Sequence, residues 1–128
     1  MPLRPLLLVD DEPLLLEATS QRIHGALPGI TILAFTDAAD ALAATQGESL
    51  GLAILDVDMP GMSGLELASR LHARSPELPI LFLTGTAKDN LTVEFERVGA
   101  IAWLRKPVSG RVLIDTVLEH ALRALDAT

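Results

Sequence analysis

The sequence contains no cysteine and no tyrosine, with one tryptophan and three phenylalanines among its 128 residues. Without cysteine there is no disulfide framework, no thiol nucleophile and no thiolate metal site, in agreement with a reducing compartment. So few aromatics leave the core to Leu, Ile, Val and Ala, a composition suited to helices packed on a sheet. Basic residues are also short, ten Lys and Arg against seventeen Asp and Glu, for a formal charge of −7. Such a chain repels nucleic-acid phosphates and anionic membrane surfaces, and neither is expected as a direct partner. No apolar stretch is long enough to span a bilayer. The apolar run after Arg4 ends at Val9 and meets Asp10, Asp11 and Glu12 at once, without the small-residue cleavage site of a signal peptide. A cytoplasmic location is the expectation.

What is present is a chain that is 49% hydrophobic and of a length for one compact domain, residues 1–128. Short apolar runs appear at Leu6–Val9, Ile30–Phe35, Leu52–Leu55, Ile80–Leu83 and Ile101–Leu104, each followed by a segment with helical spacing. A βα unit repeated five times is the reading. Runs apolar at consecutive positions suit strands buried on both faces, as in a parallel sheet covered by helices. Helix punctuation agrees: Pro13 in a first turn, Asp37 and Ser109 as N-caps, and Leu91, Phe95 and Val98 on one face before Gly99 as a stop. No linker or low-complexity tract interrupts the pattern.

In an open parallel sheet, ligands bind beyond the carboxyl ends of the strands. There the sequence places Asp10-Asp11-Glu12, Asp56-Val57-Asp58-Met59-Pro60-Gly61, Thr84-Gly85-Thr86 and Arg105-Lys106-Pro107. The second run ends in Phe35-Thr36-Asp37, whose acid is explained as a helix cap, which fits an edge strand away from the site. Asp10, Asp11 and Asp56 gathered within a few ångströms would repel by roughly 1 to 4 kcal/mol per pair about 4 Å apart. A hard divalent ion offsets this, and Mg²⁺ (or Mn²⁺) accepts one or two carboxylates while leaving positions for phosphate oxygens. Lys106 supplies a second cation. Asp56 can then act as a nucleophile on phosphorus, Thr84 donating its hydroxyl to a phosphoryl oxygen and Gly85 leaving space for the donor.

Simpler readings exist for each piece: an acidic triplet caps a helix, Met59-Pro60-Gly61 makes a turn, Lys106 is a solvated charge, and Trp103 is plain core. His24, His72 and His120 lie on helical segments without ligand spacing and are expected to be solvated.

Together, Asp10-Asp11, then Leu55-Asp56-Val57-Asp58-Met59-Pro60-Gly61-Met62-Ser63-Gly64, then Thr84-Gly85, then Lys106-Pro107 resemble the response-regulator receiver family of two-component signalling. The resemblance covers essentially the whole chain. It implies an α/β fold, a (βα)5 doubly wound five-stranded parallel sheet with the flavodoxin-like strand order 2-1-3-4-5 in a single domain. It also implies that Asp56 is phosphorylated from the phosphohistidine of a histidine kinase or phosphotransfer protein. Asp11, Asp56 and the backbone carbonyl of Asp58 would hold Mg²⁺, with Asp10 acting mainly through water. Lys106 and Thr84 would hold the phosphoryl group, and the Lys106-Pro107 bond would be cis. On activation Thr84 would move inward and Trp103, where the family usually has Tyr or Phe, would fill the vacated space. The output face would be the fourth helix, fifth strand and fifth helix, roughly Lys88 to Ala124, acting on a partner, an effector domain or a second copy. The expected role is a switch and not an enzyme that turns over other substrates.

Asp56-Val57-Asp58 also resembles the nucleophile motif of haloacid-dehalogenase phosphatases, but there the metal-binding acid pair comes last, and here Asp10-Asp11 comes first. A flavin binder would need a hydroxyl-rich phosphate loop and ring-sandwiching aromatics, and a receiver serving only for docking would have lost phosphorylation residues that this chain keeps. Either the domain works alone through protein contacts, or it is the N-terminal piece of a longer regulator.

Overall fold

The computed structural model describes residues 3–85 and 92–125. Five strands alternate with five helices: β1 (Leu6–Val9), α1 (Pro13–Ala26), β2 (Ile32–Phe35), α2 (Ala38–Ala44), β3 (Leu52–Asp56), α3 (Gly64–Arg74), β4 (Ile80–Thr84), α4 (Thr92–Arg97), β5 (Ala100–Arg105) and α5 (Gly110–Leu125). The strands form one parallel sheet in the order β2-β1-β3-β4-β5. This is the doubly wound, flavodoxin-like arrangement expected from the sequence.

The consecutive apolar runs explain the layering. Successive strand residues face opposite sides of a sheet. Leu7, Val9, Ala53, Leu55, Ile80 and Phe82 therefore pack on one face, against Ala38 and Ala41 of α2, Leu67 and Leu71 of α3 and Phe95 of α4. Leu6, Leu8, Leu52, Ile54, Leu81 and Leu83 pack on the other, against Ile23 of α1 and Leu113 and Val117 of α5. All positions of β1, β3 and β4 are buried, whereas β2 and β5 at the edges are only partly so.

Several local signals act as read. Asp37 caps α2 by accepting from the Asp40 amide at 2.9 Å, Ser109 caps α5 by accepting from the Val112 amide at 3.1 Å, and Gly99 turns the chain after α4 with φ +77°. The second apolar run begins later as a strand, at Ile32. Ile30 is buried in the turn before it, its amide bonded to the Leu27 carbonyl at 3.1 Å. Burial and strand membership are separate properties there. Leu91 and Thr86 lie outside the described residues. At its entry β5 carries an irregularity, since Ala100 pairs with Ile80 and Ala102 with Leu81, while pairing from Ala102 to Arg105 is continuous.

Candidate functional site

Register and alternation place the site. In the β1–β3 pair Val9 sits opposite Leu55, so Asp10 and Asp56, one residue further on, emerge side by side. Both continue the parity of Leu8 and Ile54, the side covered by α1 and α5. Lys106 follows Leu104 on that same side. Thr84 has the opposite parity, that of Phe82, toward α4, and its carbonyl accepts the Lys106 amide at 2.7 Å.

Asp10 and Asp56 are each 3% exposed and Thr84 is 4%. The Lys106 Nζ donates to Asp10 Oδ2 at 3.0 Å and lies 3.3 Å from Asp56 Oδ2. The other carboxylate oxygens accept backbone amides: Asp10 Oδ1 from Glu12 at 3.0 Å, Asp56 Oδ1 from Asp58 at 3.2 Å. Asp11 is half-buried beside them, and one carboxylate oxygen from each of Asp10, Asp11 and Asp56 lies within 4.8 Å of the others. Asp58 itself is exposed, and its amide is what reaches the site.

Three acids thus face one ammonium, and the titration behaviour follows. Burial is the main cause that pushes the Asp56 carboxyl up, to about 6; Lys106 opposes this and Asp10 adds to it. Burial acts to lower the Lys106 pKa, but its hydrogen bond to Asp10 and the charges of Asp10 and Asp56 outweigh that and hold it above its ordinary value. The centre is short of positive charge. A hard divalent cation with oxygen ligands fits this deficit. Two oxygens on one Mg²⁺ are at most about 4.2 Å apart, twice a metal–oxygen distance of about 2.1 Å, so the trio needs only a slight closing movement or one intervening water.

The remaining sequence candidates differ in how near they lie to this centre. Gly85 is exposed, and nothing lies within 4 Å of where a Cβ would sit. The Lys106-Pro107 peptide bond is cis. Trp103, on the parity opposite to Lys106, is 42% exposed and packs on Phe95 with ring centroids 5.2 Å apart. Phe95 in turn stacks on the fully buried Phe82 at 4.6 Å. Trp103 is therefore not core. His24 is exposed as expected. His72 is solvated only in part: the residue is half-buried, and its Nδ1 is buried without a hydrogen-bond partner, against Gly99.

Sequence reasoning left Gly64 without a role. A Cβ there would collide with the Asp56 carbonyl oxygen, and the Gly64 amide donates to the Val57 carbonyl at 3.1 Å. Only glycine lets α3 start this close beneath the end of β3. Ser63 caps that helix, accepting from the Glu66 amide at 3.1 Å. The Ser63-x-x-Glu66 spacing is the signal by which this start is legible.

Residues 6–118 match the family model described as the response regulator receiver domain. Among curated proteins, the chain is 39% identical over 120 residues to the response regulator protein FleR of Pseudomonas aeruginosa, covering 94% of this chain and 25% of that protein. It is 35% identical over 115 residues to the transcriptional regulatory protein FixJ of Bradyrhizobium diazoefficiens, covering 90% of this chain and 55% of FixJ. Among solved structures it is similar to a CheY-like response regulator receiver domain protein of Methanospirillum hungatei, with a TM-score of 0.86, 30% identity, and coverage of 95% of this chain and 96% of that one. The chain spans about a quarter to half the length of these two curated relatives.

Proposed function

The chain belongs to the response regulator receiver domain family, and from that premise we propose that Asp56 is its phosphoacceptor. The observation that carries this reading is the shared ammonium: Lys106 holds a nearly buried Asp56 beside an equally buried Asp10 at the end of the central strands. A carboxylate oxygen of Asp56 attacks the phosphorus of a phosphohistidine, the phosphorus–nitrogen bond breaks, and the bonding pair leaves with the imidazole. Lys106 balances charge on the phosphoryl oxygens and the Thr84 hydroxyl donates to one of them. Asp11, Asp56 and the Asp58 carbonyl would hold Mg²⁺ directly, Asp10 through water. When bound, the ion supplies electrostatic stabilisation of the transferring group.

The phosphoryl donor is a histidine kinase or phosphotransfer protein, a partner class that the regulator relatives imply. Drawing Thr84 toward the phosphoryl group frees space that Trp103, now outward against Phe95, turns into. The change is read on the face of α4, β5 and α5 by an effector or a second copy. Lys88, at one limit of that face, lies outside the described residues. The comparisons give no support to a phosphatase of the haloacid-dehalogenase kind.

The test is intact mass after incubation with Mg²⁺ and acetyl phosphate. Wild type should gain one base-labile phosphoryl group and Asp56→Asn none. Undiminished labelling of Asp56→Asn overturns the reading.

A further inference from the structure

The phosphoacceptor reading leaves unused a groove of about 530 Å³ that borders the acid site at Asp10 and Lys106. Its volume lies within the range of small-molecule sites, roughly 300 to 1,000 Å³. One wall is a single face of α1, where Leu15, Ala18, Thr19 and Arg22 recur at i, i+3, i+4 and i+7. The opposite wall is Pro107 and Val108 with Leu113 of α5, and Leu83 also lines it. Arg22 also lines the groove, its guanidinium lying against Gly110, where a Cβ would come within 2.6 Å of Nη1. At the mouth the groove shares Asp10, Gly85 and Lys106 with the site.

A mainly apolar groove therefore adjoins the polar centre through Asp10, Gly85 and Lys106, with Asp56 just behind the Lys106 ammonium at 3.3 Å. We propose that this groove is a subsite for the acyl chain of an acyl phosphate larger than acetyl, so that the protein takes phosphoryl groups directly from such small molecules and selects them by chain length. The inference rests on Asp56 as acceptor. In the reaction a carboxylate oxygen of Asp56 bonds to phosphorus, the bond from phosphorus to the acyl oxygen breaks, and that oxygen keeps the electron pair as the free carboxylate. Charge balances with no proton transferred. The open margin at Gly85 lets the substituent on phosphorus turn into the groove, where Leu15, Ala18, Val108 and Leu113 remove its methylenes from water.

Acetyl and butyryl phosphate release carboxylates of nearly equal basicity, so a difference in their labelling rates reports the chain and not the leaving group. Each fully buried methylene contributes about 0.8 kcal/mol, roughly a fourfold effect. The second-order rate constant for labelling, read by intact mass with Mg²⁺ present, should be about tenfold higher for butyryl than for acetyl phosphate. Ala18→Trp, a change at an exposed α1 position, should fill the groove and bring the ratio to within about twofold while the acetyl rate stays unchanged. Thr19→Trp, one residue along on the same face, should do the same and serves if Ala18→Trp disturbs the fold. Equal rates in wild type, or a ratio that survives both substitutions, overturn the subsite and leave Asp56 as acceptor intact. Absence of labelling by both donors overturns the acceptor reading, and the subsite with it.

Discussion

The two ends of the sheet bury polar groups on different terms. At the amino-terminal end Thr45, a buried neutral side chain, donates its hydroxyl to the Ala41 carbonyl at 2.7 Å, and the His72 Nδ1 beside Gly99 is the buried side-chain atom there without a partner among the described residues. At the carboxyl end Asp10 and Asp56 are equally buried but share one ammonium, with Asp11 beside them. Burial of a neutral, bonded hydroxyl costs little, whereas burial of charge demands compensation. The shortfall is kept where chemistry would use it. Nothing in the packing of the apolar layers requires that arrangement, since the sheet is already covered on both faces.

The contrast can be broken from the reactive end first. Lys106→Met removes the shared cation and should lower the rate of Asp56 labelling by acetyl phosphate at least a hundredfold, the scale of losing one charge-stabilising donor. A rate within threefold of wild type would show that the ammonium is structural only. Gly64→Ala should cost about 1–3 kcal/mol of stability in urea unfolding, the scale of overpacking against fixed backbone, whereas Gly85→Ala, where space is open, should change it little.

Asp56→Asn sharpens the comparison through pH. The folded pKa of Asp56, about 6, stands above the ordinary 3.8. Its protonated form is therefore favoured by folding, and the stability this contributes is present below about pH 4 and lost as pH rises through 6. In metal-free protein Asp56→Asn should thus match wild type near pH 4 and exceed it by up to about 3 kcal/mol above pH 7, at about 1.4 kcal/mol per pKa unit between 3.8 and about 6 with the pull of Lys106 already included. Added Mg²⁺ should shrink that gap. An advantage constant with pH would place its origin elsewhere. Thr45→Val, at the amino-terminal end, should cost only about 1 kcal/mol, one net hydrogen bond, and leave the labelling rate untouched.

Much of this was legible beforehand because two periodicities carry it. Consecutive apolar residues told of strands buried on both faces, and the polar residue ending each run told where the chain emerges at the reactive edge. Parity then brings Asp10, Asp56 and Lys106 to one side without any long-range information beyond strand order. What stayed hidden depends on neighbours distant in sequence. The need for glycine at 64 arises from the Asp56 carbonyl above it. The burial of His72 Nδ1 arises from Gly99. The exposure of Trp103 follows from β5 being an edge strand, which no property of the run Ile101–Leu104 distinguishes from a central one.

The irregular entry of β5 bears on which lengths of chain the fold can tolerate. The surplus residue, Ile101, sits at the end of the strand remote from the acids, and every step from Ala102 to Arg105 is matched to β4. A residue gained or lost at the entry is absorbed there as slack. One gained or lost after Trp103 has nowhere to go, and because side chains alternate it would turn the ammonium of Lys106 away from both carboxylates. Register with β4 therefore ties the finish of this strand to the site far more tightly than its beginning.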